Sequence, residues 1–106
     1  MIHKEVFQSA GDIIKKKGTT NWAIGNTCAH IADVVLNDLR LVVPVSTCVR
    51  GYVGVPHDVF LSVPCVVGEE GVHRVIELDM TEKECELFRR SADIVWDVQK
   101  DVWDTI

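Results

Sequence analysis

The residue types with the widest chemical reach in this chain are four cysteines, Cys28, Cys48, Cys65 and Cys85, and four histidines, His3, His30, His57 and His73. A thiolate can attack a carbonyl, pair with a second sulfur or ligate zinc, and an imidazole can exchange a proton near neutral pH or bind a metal. Each of these uses needs partners at fixed spacing. The chain has no CxxC pair, no HExxH run and no Cys/His cluster, so the spacing points to no metal site. The cysteines are far apart in apolar surroundings and read as reduced core thiols of a cytosolic protein. Lys15, Lys16 and Lys17 could gather an anion, but at a helix end they read as solvated charges. "RGYVGVPHD" is rich in Gly and Pro, yet lacks the Lys-Ser/Thr ending and the following helix of a phosphate loop. There is no activated-serine elbow, glycine-rich dinucleotide fingerprint or adjacent carboxylate pair.

The elements that would position any site follow from hydrophobic period and turn chemistry. Residues 2–17 place Val6, Ala10, Ile13 and Ile14 on one helical face, with the three lysines in the last turn and Gly18 as the residue that ends it. "TTNWAIGNTCAHIADVVLNDL" opens a second helix, capped by Thr20 or Asn21 and expected to run to about Leu39. It is crowded with small and apolar residues and shows no charged face, so close packing is expected along it. "LVVPVSTCV" predicts a strand over 41–49, with an edge or bulge at Pro44. "VFLSVPCVVGEEGVHRVIEL" predicts two strands joined at "GEEG", the first apolar on both faces and therefore well buried. Thr81 and Glu84 in "TEKE" form a capping box for a third helix. Its stripe is Cys85, Phe88, Ala92, Val95, Gln99 and Val102, flanked by Trp96 and Trp103. The fold class is α+β, with helices packed on a small, mainly antiparallel sheet.

Length allows one domain, and an apolar fraction of 47% in 106 residues is high for a chain that must bury its own core. A net charge of −5 argues against nucleic acid and against an anionic membrane surface. No signal-like segment opens the chain and no apolar run approaches the ~20 residues of a membrane span, so a cytoplasmic protein is expected.

Four blocks, "TNWAIG", "PVST", "VFLSVPCVVGEEGV" and "SADIVWDVQKD", occur in the order and spacing found in the C-terminal part of L-lactate dehydrogenases, of the lactate/malate dehydrogenase superfamily. The resemblance covers essentially the whole chain. It implies that residues 1–106 are a C-terminal substrate-domain segment, with the NAD-binding domain absent. In the complete enzyme, hydride passes between NAD(H) and C2 of lactate or pyruvate in cytoplasmic glycolysis, commonly in a homotetramer. The resemblance makes Thr20 a wall of the substrate pocket and Ile24 the residue packed on the nicotinamide ring. Ala23 and Gly25 would let their helix approach its neighbours closely.

The chain also departs from the family pattern. Thr19 stands where a tyrosine is usual, Val43 where a histidine precedes "PVST", and His30 where an acidic residue is common. Nothing matches the family's catalytic histidine, its orienting aspartate, its substrate-binding arginines or its mobile loop. The segment alone is therefore expected to be inactive, with no catalytic residue of its own. Its partners are expected to be a second copy or the missing N-terminal part. The alternatives are a malate dehydrogenase, against which Thr20 speaks because a smaller residue is usual there, and a non-catalytic association or packing module.

Overall fold

The computed structural model describes residues 2–103 and 105, and among them are three α-helices and one three-stranded antiparallel sheet. They divide into two compact units, Met1–Asp33 and Val34–Ile106.

In the first unit, helix α1 (Ile2–Lys17) carries Glu5 in its first turn and the three lysines in its last, matching the helix dipole at both ends. Gly18 ends it at φ 85°, and its N–H returns to the Ile14 carbonyl at 2.8 Å. That left-handed turn is cheap only for a residue without Cβ. Helix α2 (Trp22–Leu36) follows, its first backbone bond running from the Gly25 N–H to the Asn21 carbonyl at 3.0 Å. The predicted stripe of α1 is not buried: Val6 is 67% exposed, and Phe7, on the adjoining surface, 84%.

The second unit begins in the last turn of α2, where Val34 is fully buried. The helix stops at Leu36 rather than Leu39, because the chain closes back on itself. Asp38 N–H reaches the Val35 carbonyl and Leu39 N–H the Val34 carbonyl, while Asp38 and Arg40 take φ of 46° and 50°. Strands β1 (Leu41–Cys48), β2 (Phe60–Gly68) and β3 (Gly71–Val75) then form a sheet in that order. Between β1 and β2, Val49 N–H bonds the Val59 carbonyl, so the odd-numbered pairs such as Val43–Cys65 and Val45–Val63 exchange hydrogen bonds. Pro44 faces Pro64 at a non-bonded position, where the β1–β2 pairing uses neither missing N–H. Pro44 thus sits on an edge strand, in unbroken register.

The odd-numbered face is the core. Val43, Val63, Cys65 and Val67 cluster with Val34, Val49, Val55, Val59 and Ala92, and Phe88, Val95 and Trp96 pack against them. Those last four residues come from helix α3 (Glu82–Trp103). The expectation that β2 is buried on both faces is corrected here: Phe60 is 40% exposed, Ser62 is exposed, and Pro64 and Val66 are half-buried. Only one face of the strand meets the cluster that α3 joins, so apolar composition alone overstated the burial. The cysteines divide as well. Cys65 is buried, which pushes its thiol pKa up, and Cys85 is half-buried, whereas Cys28 and Cys48 are exposed rather than core residues.

The "GEEG" connection is a two-residue turn, Glu69–Glu70, between paired Gly68 and Gly71, with Gly71 at φ 90°. Register slips by one between Val66–Arg74 and Val67–Val72, leaving His73 as the extra residue of a bulge. At the start of α3 the capping box forms as predicted. Thr81 N–H donates to Glu84 Oε2 at 2.8 Å, and Glu84 N–H donates to Thr81 Oγ1 at 3.3 Å.

Candidate functional site

The first unit places Thr20 and Ile24 on one open concavity of about 440 Å³, together with Ile13, Lys17, Asn21, Trp22 and Ala23. The geometry follows from the joint between α1 and α2. Gly18 turns the chain, residues 19–21 run without regular structure, and the helix restarts at Trp22. Thr20 therefore lies in the joint itself, and Ile24 follows in the first turn of α2. Both side chains are exposed, Ile24 at 64%.

Asn21, not Thr20, precedes the first helical residue. Its side chain turns away from the usual capping role: Oδ1 accepts a hydrogen bond from Lys17 Nζ at 2.6 Å. The same ammonium lies 5.6 Å from the centre of the Trp22 ring, within reach of a cation–π contact. The concavity therefore offers a threonine hydroxyl and methyl, two isoleucines, an indole and one positive charge. Such a set can bind and shield a small ligand. A Cβ built at Gly25 meets nothing within 4 Å among the described residues of this chain.

The remaining reactive side chains are dispersed. His57 stacks on Trp96 with ring centres 5.0 Å apart and planes 4° from parallel, its Nε2 3.8 Å from Asp93. His73 Nε2 lies 3.9 Å from Asp38 Oδ1, which also accepts from the Glu69 N–H at 3.1 Å. The Glu69 bond is the main cause holding the Asp38 carboxyl below its ordinary range, against some desolvation, with Arg40 and His73 adding to it. Among the described residues, no three His, Cys, Asp or Glu side chains are grouped to hold a metal ion.

Two features of the concavity depend on more than residue types. The Lys17–Asn21 bond could have been suspected from the four-residue spacing across a helix end. The grouping of Ile13 with Thr20 could not, since it depends on how α1 and α2 are joined.

Comparison with known proteins gives one family. The model of the lactate/malate dehydrogenase alpha/beta C-terminal domain matches residues 1–104. Over 101 residues the chain is 48% identical to the L-lactate dehydrogenase A chains of Pelodiscus sinensis japonicus and of Caiman crocodilus apaporiensis. It is 46% identical to that of Python regius over the same length. In each case the match takes in 95% of this chain and 30% of the relative, so the chain spans less than a third of the curated relatives it matches.

Proposed function

Because the chain belongs to the lactate/malate dehydrogenase family, as its alpha/beta C-terminal domain, we propose that it forms one wall of the substrate and cofactor site of an NAD-dependent L-lactate dehydrogenase. The observation that carries this reading is the shared concavity of Thr20 and Ile24, one helical turn apart in sequence, which the family resemblance assigns to pyruvate and nicotinamide. Thr20 presents a hydroxyl and a methyl, enough to limit the volume left for the side chain of a 2-keto acid. Ile24 offers exposed apolar surface, which fits the flat face of a nicotinamide and keeps water from it. Bound NAD(H) supplies or accepts the hydride. This chain's own part is to shape and dry the site; the proton is exchanged by a histidine that the resemblance assigns to the other part of the enzyme.

The same reading implies a cytoplasmic protein working with further copies or with an N-terminal, NAD-binding part. Exposed Ile2, Val6 and Phe7, at 76%, 67% and 84%, are surfaces that such association would cover. They also favour a second reading, in which the chain is an association module without catalytic use.

A chimera separates the two. The matching C-terminal stretch of the Pelodiscus sinensis japonicus A chain is replaced by this chain, and NADH oxidation with pyruvate is followed. Turnover is expected from the chimera and none from the 106 residues alone. A folded chimera that binds NADH and assembles, yet turns over no pyruvate or lactate, favours the association module.

A further inference from the structure

The joint between α1 and α2 holds a contact that the proposed role of Thr20 and Ile24 does not use. Lys17 is the last residue of α1, and its Nζ crosses the joint to Asn21 Oδ1 at 2.6 Å. The bond closes a loop of five residues with Thr20 inside it. Gly18, at φ 85°, gives that loop no stiffness of its own. Asn21 is the residue type that normally caps a helix with its side-chain oxygen, but here that oxygen bonds the lysine. The start of α2 is held by the backbone bond from Gly25 N–H to the Asn21 carbonyl. The indole of Trp22 sits under the same ammonium, 5.6 Å from its centre, and limits where the lysine can swing. Lys17 and Asn21 both line the concavity that holds Thr20 and Ile24.

We propose that Lys17 is a positioning residue for this site: through Asn21 it fixes the joint that aims Thr20 into the concavity. The proposal rests on the reading of that concavity as a substrate wall, but the link itself is a property of this chain. Because both groups are exposed, a charge-assisted bond here has a modest effect. It acts on the placement of one side chain and leaves the chemical step alone.

The test uses four substitutions. Lys17→Met keeps the apolar stem and removes the donor; Asn21→Ala keeps the charge and removes the acceptor. Lys17→Arg and Asn21→Asp each preserve a bonded pair. In the 106-residue chain, the backbone amide resonances of Thr20 and Ile24 are expected to move in Lys17→Met and Asn21→Ala alike, and to return toward the parent in the two conservative variants. In the chimera, the two disruptive variants are expected to raise KM for pyruvate about two- to five-fold with kcat unchanged, again with conservative rescue. Unmoved Thr20 and Ile24 resonances in Lys17→Met overturn the proposal. So does an effect of Lys17→Met that Asn21→Ala does not share, since the lysine would then act on the ligand directly. A parent chimera without turnover counts against the substrate-wall reading instead, and the resonances still decide whether the link exists.

Discussion

The Tyr52 hydroxyl donates to the backbone carbonyl of Ile76 at 3.2 Å, in the place where the sheet lacks a donor. Ile76 N–H bonds the Pro64 carbonyl at 2.8 Å, and in an antiparallel pair the partner would return a bond to the Ile76 carbonyl. Proline has no N–H to return. The tyrosine supplies one and also accepts from the Leu78 N–H at 3.2 Å, while its ring packs edge-on against Phe88 at 5.5 Å. Tyr52→Phe keeps the ring and loses both bonds. It is expected to cost about 1–2 kcal/mol in urea unfolding, with an unchanged slope against urea. A variant as stable as the parent would mean that water replaces the hydroxyl fully.

A second substitute donor lies further along the same strand. Gln99 of α3 donates from Nε2 to the Phe60 carbonyl at 3.2 Å and accepts from the Phe60 N–H at 2.9 Å. The amide thus pairs with an edge of β2 as a neighbouring strand would. Gln99→Glu keeps the acceptor but turns a second oxygen toward the carbonyl. The charged form is disfavoured, so the new carboxyl should titrate above the ordinary glutamate range in the folded state. The variant is therefore expected to lose about 1–2 kcal/mol at neutral pH and to regain part of it as pH falls through that raised pKa, where the acid can donate. Unfolding curves of parent and variant across pH check this; a difference that does not narrow in acid counts against the pairing.

Asp38 holds the tip of the β2–β3 hairpin by accepting the Glu69 N–H, and its carboxyl pKa is lowered chiefly by that bond. A depressed carboxyl pKa gives stability that is complete above the unfolded value, near 3.8, and is lost as pH falls through the lower folded value. Asp38→Asn tolerates the same left-handed φ but removes the charge. The stability gap between parent and Asp38→Asn is expected to be constant at neutral pH and to shrink below the ordinary carboxylate range. A gap independent of pH would show that the charge adds nothing.

Gly68 lies under this carboxylate. A Cβ there would run into Asp38 Oδ1 and come within 2.7 Å of His73 Nε2. Gly68→Ala is expected to cost about 1–3 kcal/mol, read from thermal unfolding, and to disturb the Asp38–Glu69 bond. An alanine variant with unchanged unfolding would mean that Asp38 and His73 give way freely.

What the sequence made legible was local and periodic. "TEKE" announced the Thr81–Glu84 box because both partners lie within one turn, and "GEEG" announced the hairpin because glycine permits its geometry. The family blocks pointed to Thr20 and Ile24, which the fold brings to one concavity. Less legible were features that depend on partners distant in sequence. Gln99 reads as one member of an amphipathic stripe, and nothing near it reveals that it pairs with Phe60, 39 residues away. Tyr52 and Ile76 are as hidden, since the need arises from Pro64. The end of α2 was missed because "LNDLR" has neither glycine nor proline; Asp38 and Arg40 adopt the left-handed conformation without them. The burial of β2 was overstated because an apolar run does not say how many faces have a neighbour.

On the proposed function, Thr20 bounds the space available to a 2-keto acid. The most direct measurement is the ratio of kcat/KM for pyruvate to that for a bulkier 2-keto acid, in the chimera with Thr20 and with Thr20→Gly. Removing the hydroxyl and methyl is expected to lower that ratio roughly five- to 150-fold, about 1–3 kcal/mol in relative transition-state binding, in favour of the larger substrate. A folded, active Thr20→Gly chimera whose ratio equals that of its parent would contradict the claim.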